Sequence, residues 1–277
     1  MEIVVMSQIT NPLDLYKHLD KSNCRRCMLP SCMAFAVAVI QGSKKLRECP
    51  LLSDDQVVEL SGELIQKKSL QDEEENLLFR LCDELACKNL QVIGSSLGLP
   101  LRDEMIGVNC LGKYFWINAS GEMISECHKN NWVHGPILQY LLRSKGTEPV
   151  GRWITFNEID GASEWVRFFS HRCEQEMRRL ADAHTDLFFE ILDLFGSREM
   201  QGVNDADSSF LLYPLPKVPF LINYWKPEDD FESKLNLLFD ETMTDNINVA
   251  SVYVLGRGLV EMLTKLIVRH NQDGKLF

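Results

Sequence analysis

Asn23-Cys24-Arg25-Arg26-Cys27-Met28-Leu29-Pro30-Ser31-Cys32, completed by Glu48-Cys49-Pro50, sets four cysteines in the pattern C-x2-C-x4-C-x16-C. Three thiols on a tight loop and a fourth returning after a helix can converge on one centre. Iron–sulfur cubanes are held by four cysteine thiolates, and a proline directly after the last ligand, as Pro50 follows Cys49, is shared with bacterial ferredoxin runs. The unequal intervals let the chain wrap a body broader than a single ion. Zinc also takes four cysteines, but usually as two short C-x2–4-C knuckles, and Cys49 has no partner knuckle. Four unliganded thiols are a poor alternative, because free cysteines tend to be buried and scattered. Between the third and fourth cysteines, Ser31 can cap a short helix through Met33 to Gln41, and Gly42 can end it. Cys32 then stands in the first turn, where the dipole and free N–H groups favour a thiolate.

The charge around this segment is unusual for the chain. Residues 17–50 carry seven basic side chains (Lys17, Lys21, Arg25, Arg26, Lys44, Lys45, Arg47) and two acidic ones (Asp20, Glu48), a local +5 within a net charge of −11. An anionic four-thiolate cluster supplies a reason, because nearby positive charge stabilises its more reduced form; a solvated surface is the plainer one. The other 243 residues are therefore acidic, which excludes strong long-range attraction for nucleic acid or anionic membrane. At 277 residues, with 45% apolar and 25% charged side chains, the chain is an ordinary globular one of a large domain plus a small module. Nine cysteines are too few for a disulfide scaffold, and four of them fall within 26 residues, which suggests metal ligation in a reducing compartment. The sequence has no apolar run of about 18 residues and no signal-type N-terminus, so a soluble, cytoplasmic protein is expected.

Leu15 through Cys24, with Cys27, Pro30-Ser31-Cys32-Met33-Ala34-Phe35-Ala36 and Cys49-Pro50, resembles the four-cysteine iron–sulfur domain of the corrinoid iron–sulfur protein large subunit. The resemblance spans residues 10–55. It implies one [4Fe–4S] cluster on Cys24, Cys27, Cys32 and Cys49, supplying a low-potential electron that restores Co(I) on a corrinoid. Two positions depart from the family pattern: Met28 stands where Gly is usual, and Asp20 where Pro is frequent.

Further along, Ser53-Asp54-Asp55-Gln56 opens like a capping box, with Val57, Leu60, Leu64 and Ile65 at helical spacing. The acidic run 71–75 fits the first turn of a helix continued by Leu77, Leu78, Leu81 and Leu85. A soft boundary falls near 66–72, which gives an iron–sulfur module 1–68 and a domain 69–277. Residues 90–126 read as β-rich, with Val92-Ile93 and Tyr114-Phe115-Trp116-Ile117 as strand pieces and Asn118-Ala119-Ser120-Gly121 as a hairpin connection. Helices are expected over 133–142, 164–181, 185–195 and 249–269, and strands over 210–213 and 218–225, joined by Pro214-Leu215-Pro216. The fold class is α+β: a small helical iron–sulfur module followed by a larger mixed domain.

The larger domain shows no nucleotide-binding glycine loop, zinc-protease motif or nucleophile elbow. Asp182-Ala183-His184 begins like a cobalamin base-off signature, but Leu187 occupies the position of the downstream Gly, so an exposed helical Asp and His is the better reading. Cys110, Cys127, His128 and His134 could form a second metal site, although packing or capping suits His134 better. Cys82 and Cys87 read as packing residues on one helix. Glu228-Asp229-Asp230 and Asp240-Glu241 could work as acid and base, or simply be solvated. Trp225 with Arg152-Trp153 could line a planar-ligand pocket, or belong to the core. Residues around Tyr140-Leu141-Leu142, 151–156, 214–219, 225–231 and Leu238-Phe239-Asp240 resemble an uncharacterised domain that follows this kind of module in anaerobic bacteria and archaea, over residues ~75–270. No functional residue carries over from it.

The expected function is therefore electron transfer through one [4Fe–4S] cluster to a redox partner, with a corrinoid or corrinoid protein of anaerobic one-carbon metabolism implied by the resemblance. The alternatives are a redox enzyme with a substrate or second-cofactor pocket in the C-terminal domain, and a structural or redox-sensing iron–sulfur protein. Neither nucleic acid nor membrane is expected as a partner.

Overall fold

The computed structural model describes residues 9–64, 70–126, 130–201, 203–228 and 231–273. The chain divides into two compact units, Met1–Leu77 and Leu78–Phe277. It is α+β, with a helical N-terminal unit and both sheets in the C-terminal one.

The N-terminal unit holds α1 (Pro12–Lys17), α2 (Cys32–Ile40), a 3-10 turn at Leu46–Glu48, α3 (Asp54–Glu63) and the first half of α4 (Leu70–Ala86). Asn11 caps α1 by accepting from the Asp14 N–H, with Pro12 at the first helical position. Ser31 caps α2 as its spacing predicts, and Gly42 leaves the helix at φ 77°. Ser53 and Gln56 form the expected capping box of α3. Leu15, Leu19, Phe35, Ala36, Val39, Ile40, Leu46 and Leu60 make the core with Ile9. A fully buried Leu, Ile, Val or Phe contributes only about 1.5–3 kcal/mol, so this small core leaves little margin.

The C-terminal unit begins with the rest of α4, which includes Leu81 and Leu85 on its buried face, and α5 (Leu90–Leu97). Here the expectation of β structure from residue 90 is corrected. Val92 and Ile93 are helical because the Asn89 side chain accepts from the N–H groups of Gln91 (2.9 Å) and Val92 (3.3 Å), while Gly98 at φ 67° ends the helix. Leu90, Gly94 and Leu97 are buried at helical spacing, and Val92 is exposed. A four-stranded antiparallel sheet follows in the order β1 (Leu101–Arg102), β2 (Met105–Cys110), β3 (Lys113–Ile117) and β4 (Met123–Ile124). The hairpin at Asn118–Gly121 is present, closed by the Gly121 N–H on the Asn118 carbonyl.

After α6 (Asn131–Arg143) and β5 (Trp153–Thr155), the helix expected over 164–181 appears as α7 (Val166–Phe169), a π-helical turn at Ser170–Glu174, and α8 (Gln175–Ala183). Then come α9 (Thr185–Leu194), β6 (Arg198–Met200), β7 (Ser208–Leu215), β8 (Val218–Trp225), β9 (Lys234–Asp240), α10 (Met243–Asn246) and α11 (Val249–Asp273). The second sheet is antiparallel, ordered β5-β9-β8-β7-β6. Pro214 and Leu215 belong to β7 rather than to its connection: a bulge lies between Leu212 and Leu215, and the turn passes through Pro216 and Lys217, the latter at φ 59°. One face of the sheet, with Phe210, Leu212, Phe220, Ile222, Tyr224, Leu237 and Phe239, joins the core shared with Phe156, Phe169 and α11.

The backbone of α11 lies so close to Trp132 that a methyl group on Gly258 would sit 2.1 Å from the indole. Gly258→Ala should therefore destabilise the C-terminal unit by about 1–3 kcal/mol through overpacking. Gly62→Ala, in α3 with nothing within 4 Å, should stabilise by about 0.5–1 kcal/mol. Chemical denaturation measures both. Glu174, half-buried, accepts from the Leu237 N–H of β9 at 3.2 Å, and burial pushes its carboxyl above the usual range. A raised folded pKa gives stability that is complete below the unfolded carboxyl pKa and is lost as pH rises through the folded one. Glu174→Gln, which keeps the acceptor, should thus gain stability over the parent at pH 7 and lose that advantage near pH 4, as read from denaturation midpoints.

Candidate metal centre

The cysteine loop is built from backbone of alternating hand. Lys21 (φ 65°), Asn23 (φ 51°), Arg25 (φ 62°) and Met28 (φ 64°) all lie in the left-handed region. Alternating φ signs turn successive N–H groups towards one side, the arrangement that forms anion-binding nests at phosphate and iron–sulfur sites. The conformation accounts for the Gly usual in the family at residue 28: a left-handed position is free for Gly and costs other residues about 1–2 kcal/mol. Met28 nevertheless occupies it, with 91% of its surface exposed.

One hydrogen bond ties this loop to α2. The Cys32 N–H donates to Asn23 Oδ1 at 2.8 Å, and the Ala34 N–H donates to Ser31 Oγ at 3.1 Å. Two of the orphan donors at the start of α2 are thereby satisfied, and the residue preceding Cys24 is fixed to Cys32 itself. Asn23 was not singled out from sequence. Its partner lies nine residues away.

The fourth cysteine is held differently. The carboxylate of Glu48 accepts from the Lys45 N–H (2.8 Å) and from the Lys44 ammonium (2.5 Å), which bend the chain into the turn that delivers Cys49. The Lys44 hydrogen bond, with that of the Lys45 N–H, holds the Glu48 carboxyl below its usual range. Cys49 then donates its N–H to Leu46 O at 3.0 Å.

None of the four thiols is in a disulfide. Cys27, Cys32 and Cys49 are half-buried and pack against the same core, while Cys24 is exposed. Among the described residues no three His, Cys, Asp or Glu side chains close on a point that a single ion would occupy. The unit presents an all-thiol donor set spread along a loop, a helix start and a turn. That donor set fits an iron–sulfur cluster.

The basic island is partly used locally. Lys17 pairs with Asp14 (2.7 Å), Lys44 pairs with Glu48, and the Lys21 ammonium lies 5.9 Å from the Tyr16 ring centroid. Arg25, Arg26 and Arg47 are exposed and, among the described residues, make no ion pair.

The candidates in the larger unit resolve into structure. Cys127, His128, Asp229 and Asp230 lie outside the described residues. His134 Nε2 bonds the Gly121 carbonyl at 2.8 Å, and Cys110 is buried at the end of β2. Cys82 packs against the core, whereas Cys87 lies beyond the end of α4 and is exposed, so only the first is a packing residue. Asp182 is tied rather than free: it accepts from Tyr224 Oη (2.8 Å) and Ser233 Oγ (2.7 Å), joining α8 to β8 and the approach to β9. Asp240 is fully buried. Burial opposes its ionisation, but Thr242, Val150 and Gly151 donate to it and hold its carboxyl below the usual range. Glu241 pairs with Arg152. Trp225 and Trp153 do not share a pocket, because their partners on β9, Lys234 and Asp240, are six residues apart, about 20 Å along a strand.

Asn23→Ala should cost the N-terminal unit about 1–2 kcal/mol and expose the Cys32 amide to exchange, whereas Asn23→Asp keeps the acceptor and the protection. Met28→Gly should stabilise it by up to about 1 kcal/mol. Native-state hydrogen exchange checks both.

Comparison with known proteins bears on each unit. Residues 19–51 match a family model described as "Putative Fe-S cluster", and residues 89–262 match one described as a domain of unknown function, DUF3786. The chain is 40% identical over 48 residues to the acetyl-CoA decarbonylase/synthase complex subunit gamma of Methanocaldococcus jannaschii, covering 17% of this chain and 10% of that protein. It is 47% identical over 45 residues to the subunit gamma 2 of Methanosarcina mazei, covering 16% and 10%. It is 45% identical over 42 residues to the corrinoid/iron–sulfur protein large subunit of Moorella thermoacetica, covering 15% and 9%. The chain thus spans about a tenth of the length of these curated relatives. No solved structure matches it. The resemblance of the four-cysteine segment to the corrinoid iron–sulfur large subunit is borne out, as is the separate domain behind it. With more than half of its length matched by that one model, the chain belongs to the DUF3786 family, and it carries an iron–sulfur-type segment ahead of the family's domain.

Proposed function

We propose that this protein is a cytoplasmic electron-transfer protein in which Cys24, Cys27, Cys32 and Cys49 hold one [4Fe–4S] cluster, within a module spanning residues 1–68 ahead of a domain spanning 69–277. Its electron acceptor is a corrinoid or a corrinoid protein of anaerobic one-carbon metabolism. The observation that carries the reading is the conjunction of four thiols on one small unit, three of them against a single core, with a segment similar to relatives named for acetyl-CoA synthesis and for a corrinoid. When bound, such a cluster accepts and releases single electrons at low potential.

The chain's own residues set the conditions for that chemistry. Asn23 and Ser31 fix the start of α2, so that Cys32 and the loop of Cys24 and Cys27 keep one geometry. Arg25, Arg26 and Arg47, which make no ion pair among the described residues, favour added negative charge, which raises the potential. The half-burial of Cys27, Cys32 and Cys49 limits water on one side, while Cys24 and Met28 leave the other side open to a partner. The described residues include no helix long and apolar enough to cross a membrane.

The test is single-turnover mixing. Protein prepared and reduced without oxygen is mixed with a Co(II) corrinoid in its base-off form, and the visible spectrum is followed. The expected result is reduction of the corrinoid to Co(I) by about one equivalent per chain, lost in Cys49→Ser. A protein that stays reduced beside an unchanged Co(II) spectrum removes the corrinoid from the proposal.

A further inference from the structure

The π-helical turn Ser170–Glu174 interrupts the run from α7 to α8 and alters which side chains face α11. Cys173 is fully buried and faces Gly256, where a methyl group would lie 3.3 Å from its Sγ and 3.0 Å from the Phe169 ring. The bare backbone at Gly256 lets the two elements approach at their base. Glu174 turns inward to the edge of the sheet at Leu237. Outside this contact the walls part into a cleft of about 400 Å³, lined by His171, Arg172 and Glu176 on one side and by Arg257, Val260 and Glu261 on the other. That volume lies within the range of small-ligand sites, roughly 300–1,000 Å³.

The charges in the cleft are unevenly committed. Glu176 is paired with Arg179 (2.5 Å), and Glu261 with Lys265 (2.5 Å). His171 Nδ1 bonds Gln175 Oε1 at 2.9 Å, which leaves the opposite ring nitrogen unused by that bond. Among the described residues Arg172 and Arg257 make no ion pair, although the chain as a whole carries −11. Two uncommitted guanidinium groups on opposing walls, each with several N–H donors in a planar fork, match the oxygens of a phosphate group. π-turns inside α-helices occur frequently at functional sites. We infer that this cleft binds a phosphate-bearing small molecule, with Arg172 and Arg257 holding the phosphate from opposing walls. The site lies wholly within the C-terminal unit and does not depend on the cluster, so either assignment can fail while the other stands.

The experiment is isothermal titration of the full chain with inorganic phosphate, with AMP and with citrate, at matched ionic strength in sodium chloride. Saturable binding of inorganic phosphate or AMP is expected, tighter than that of citrate; AMP binding more tightly than phosphate identifies an ester as the ligand, and the reverse identifies the free anion. Arg172→Ala and Arg257→Ala should each weaken binding about tenfold, as loss of a charge-assisted hydrogen bond does. Arg167→Ala, outside the lining, should leave it unchanged. Glu261→Gln removes a negative charge from the rim and should tighten binding about two- to fivefold. No heat of binding up to about 10 mM phosphate or AMP, a range equivalent to less than about 3 kcal/mol, overturns the inference. So does citrate binding as tightly as either phosphate, or a Glu261→Gln variant that binds no better than the parent.

Discussion

The bond from the Cys32 N–H to Asn23 is the constraint on which the candidate centre depends. It joins a loop with almost no regular structure to the first residue of a helix, and through it the positions of Cys24 and Cys27 become tied to that of Cys32. Around it, the left-handed residues 21, 23, 25 and 28 would otherwise be a costly and mobile path for the backbone. A small core beneath three of the cysteines completes the support. Small units with limited cores commonly rely on a metal centre for part of their stability, and the strained loop makes sense as backbone shaped for an occupant.

The larger unit is organised by contacts of another kind. Carboxylates that look free for chemistry in the sequence are fasteners: Asp240 gathers the 150–151 strand approach and Thr242, while Asp182 gathers Tyr224 and Ser233. Glu174 closes part of a sheet edge from within the π-turn. Glycines at 256 and 258 allow α11 to lie against Phe169, Cys173 and Trp132. The uncommitted charge of this unit is thereby left to exposed side chains such as Arg172 and Arg257.

Local signals were legible where a cap and a period agreed. Ser31 with Gly42 marked α2, Ser53 with Gln56 marked α3, and the acidic run before Leu77 belonged to a helix. Val92-Ile93 misled because a short apolar pair fits either a strand or a helix, and the deciding residues, Asn89 and Gly98, stand outside it. The π-turn left no mark in composition or period. Asn23 and Asp240 act through partners 9 and 89–90 residues away, respectively, which spacing within a segment does not reveal. The four cysteines were legible because ligand chemistry restricts residue type and interval at once.

The most direct measurement is X-ray absorption at the metal edge, with metal and sulfide analysis, on protein prepared without oxygen. The account predicts about four iron atoms and four acid-labile sulfides per chain, with an Fe–Fe shell beside the Fe–S shell. Stoichiometric zinc with a single Zn–S shell at about 2.3 Å and no metal–metal scattering would contradict it.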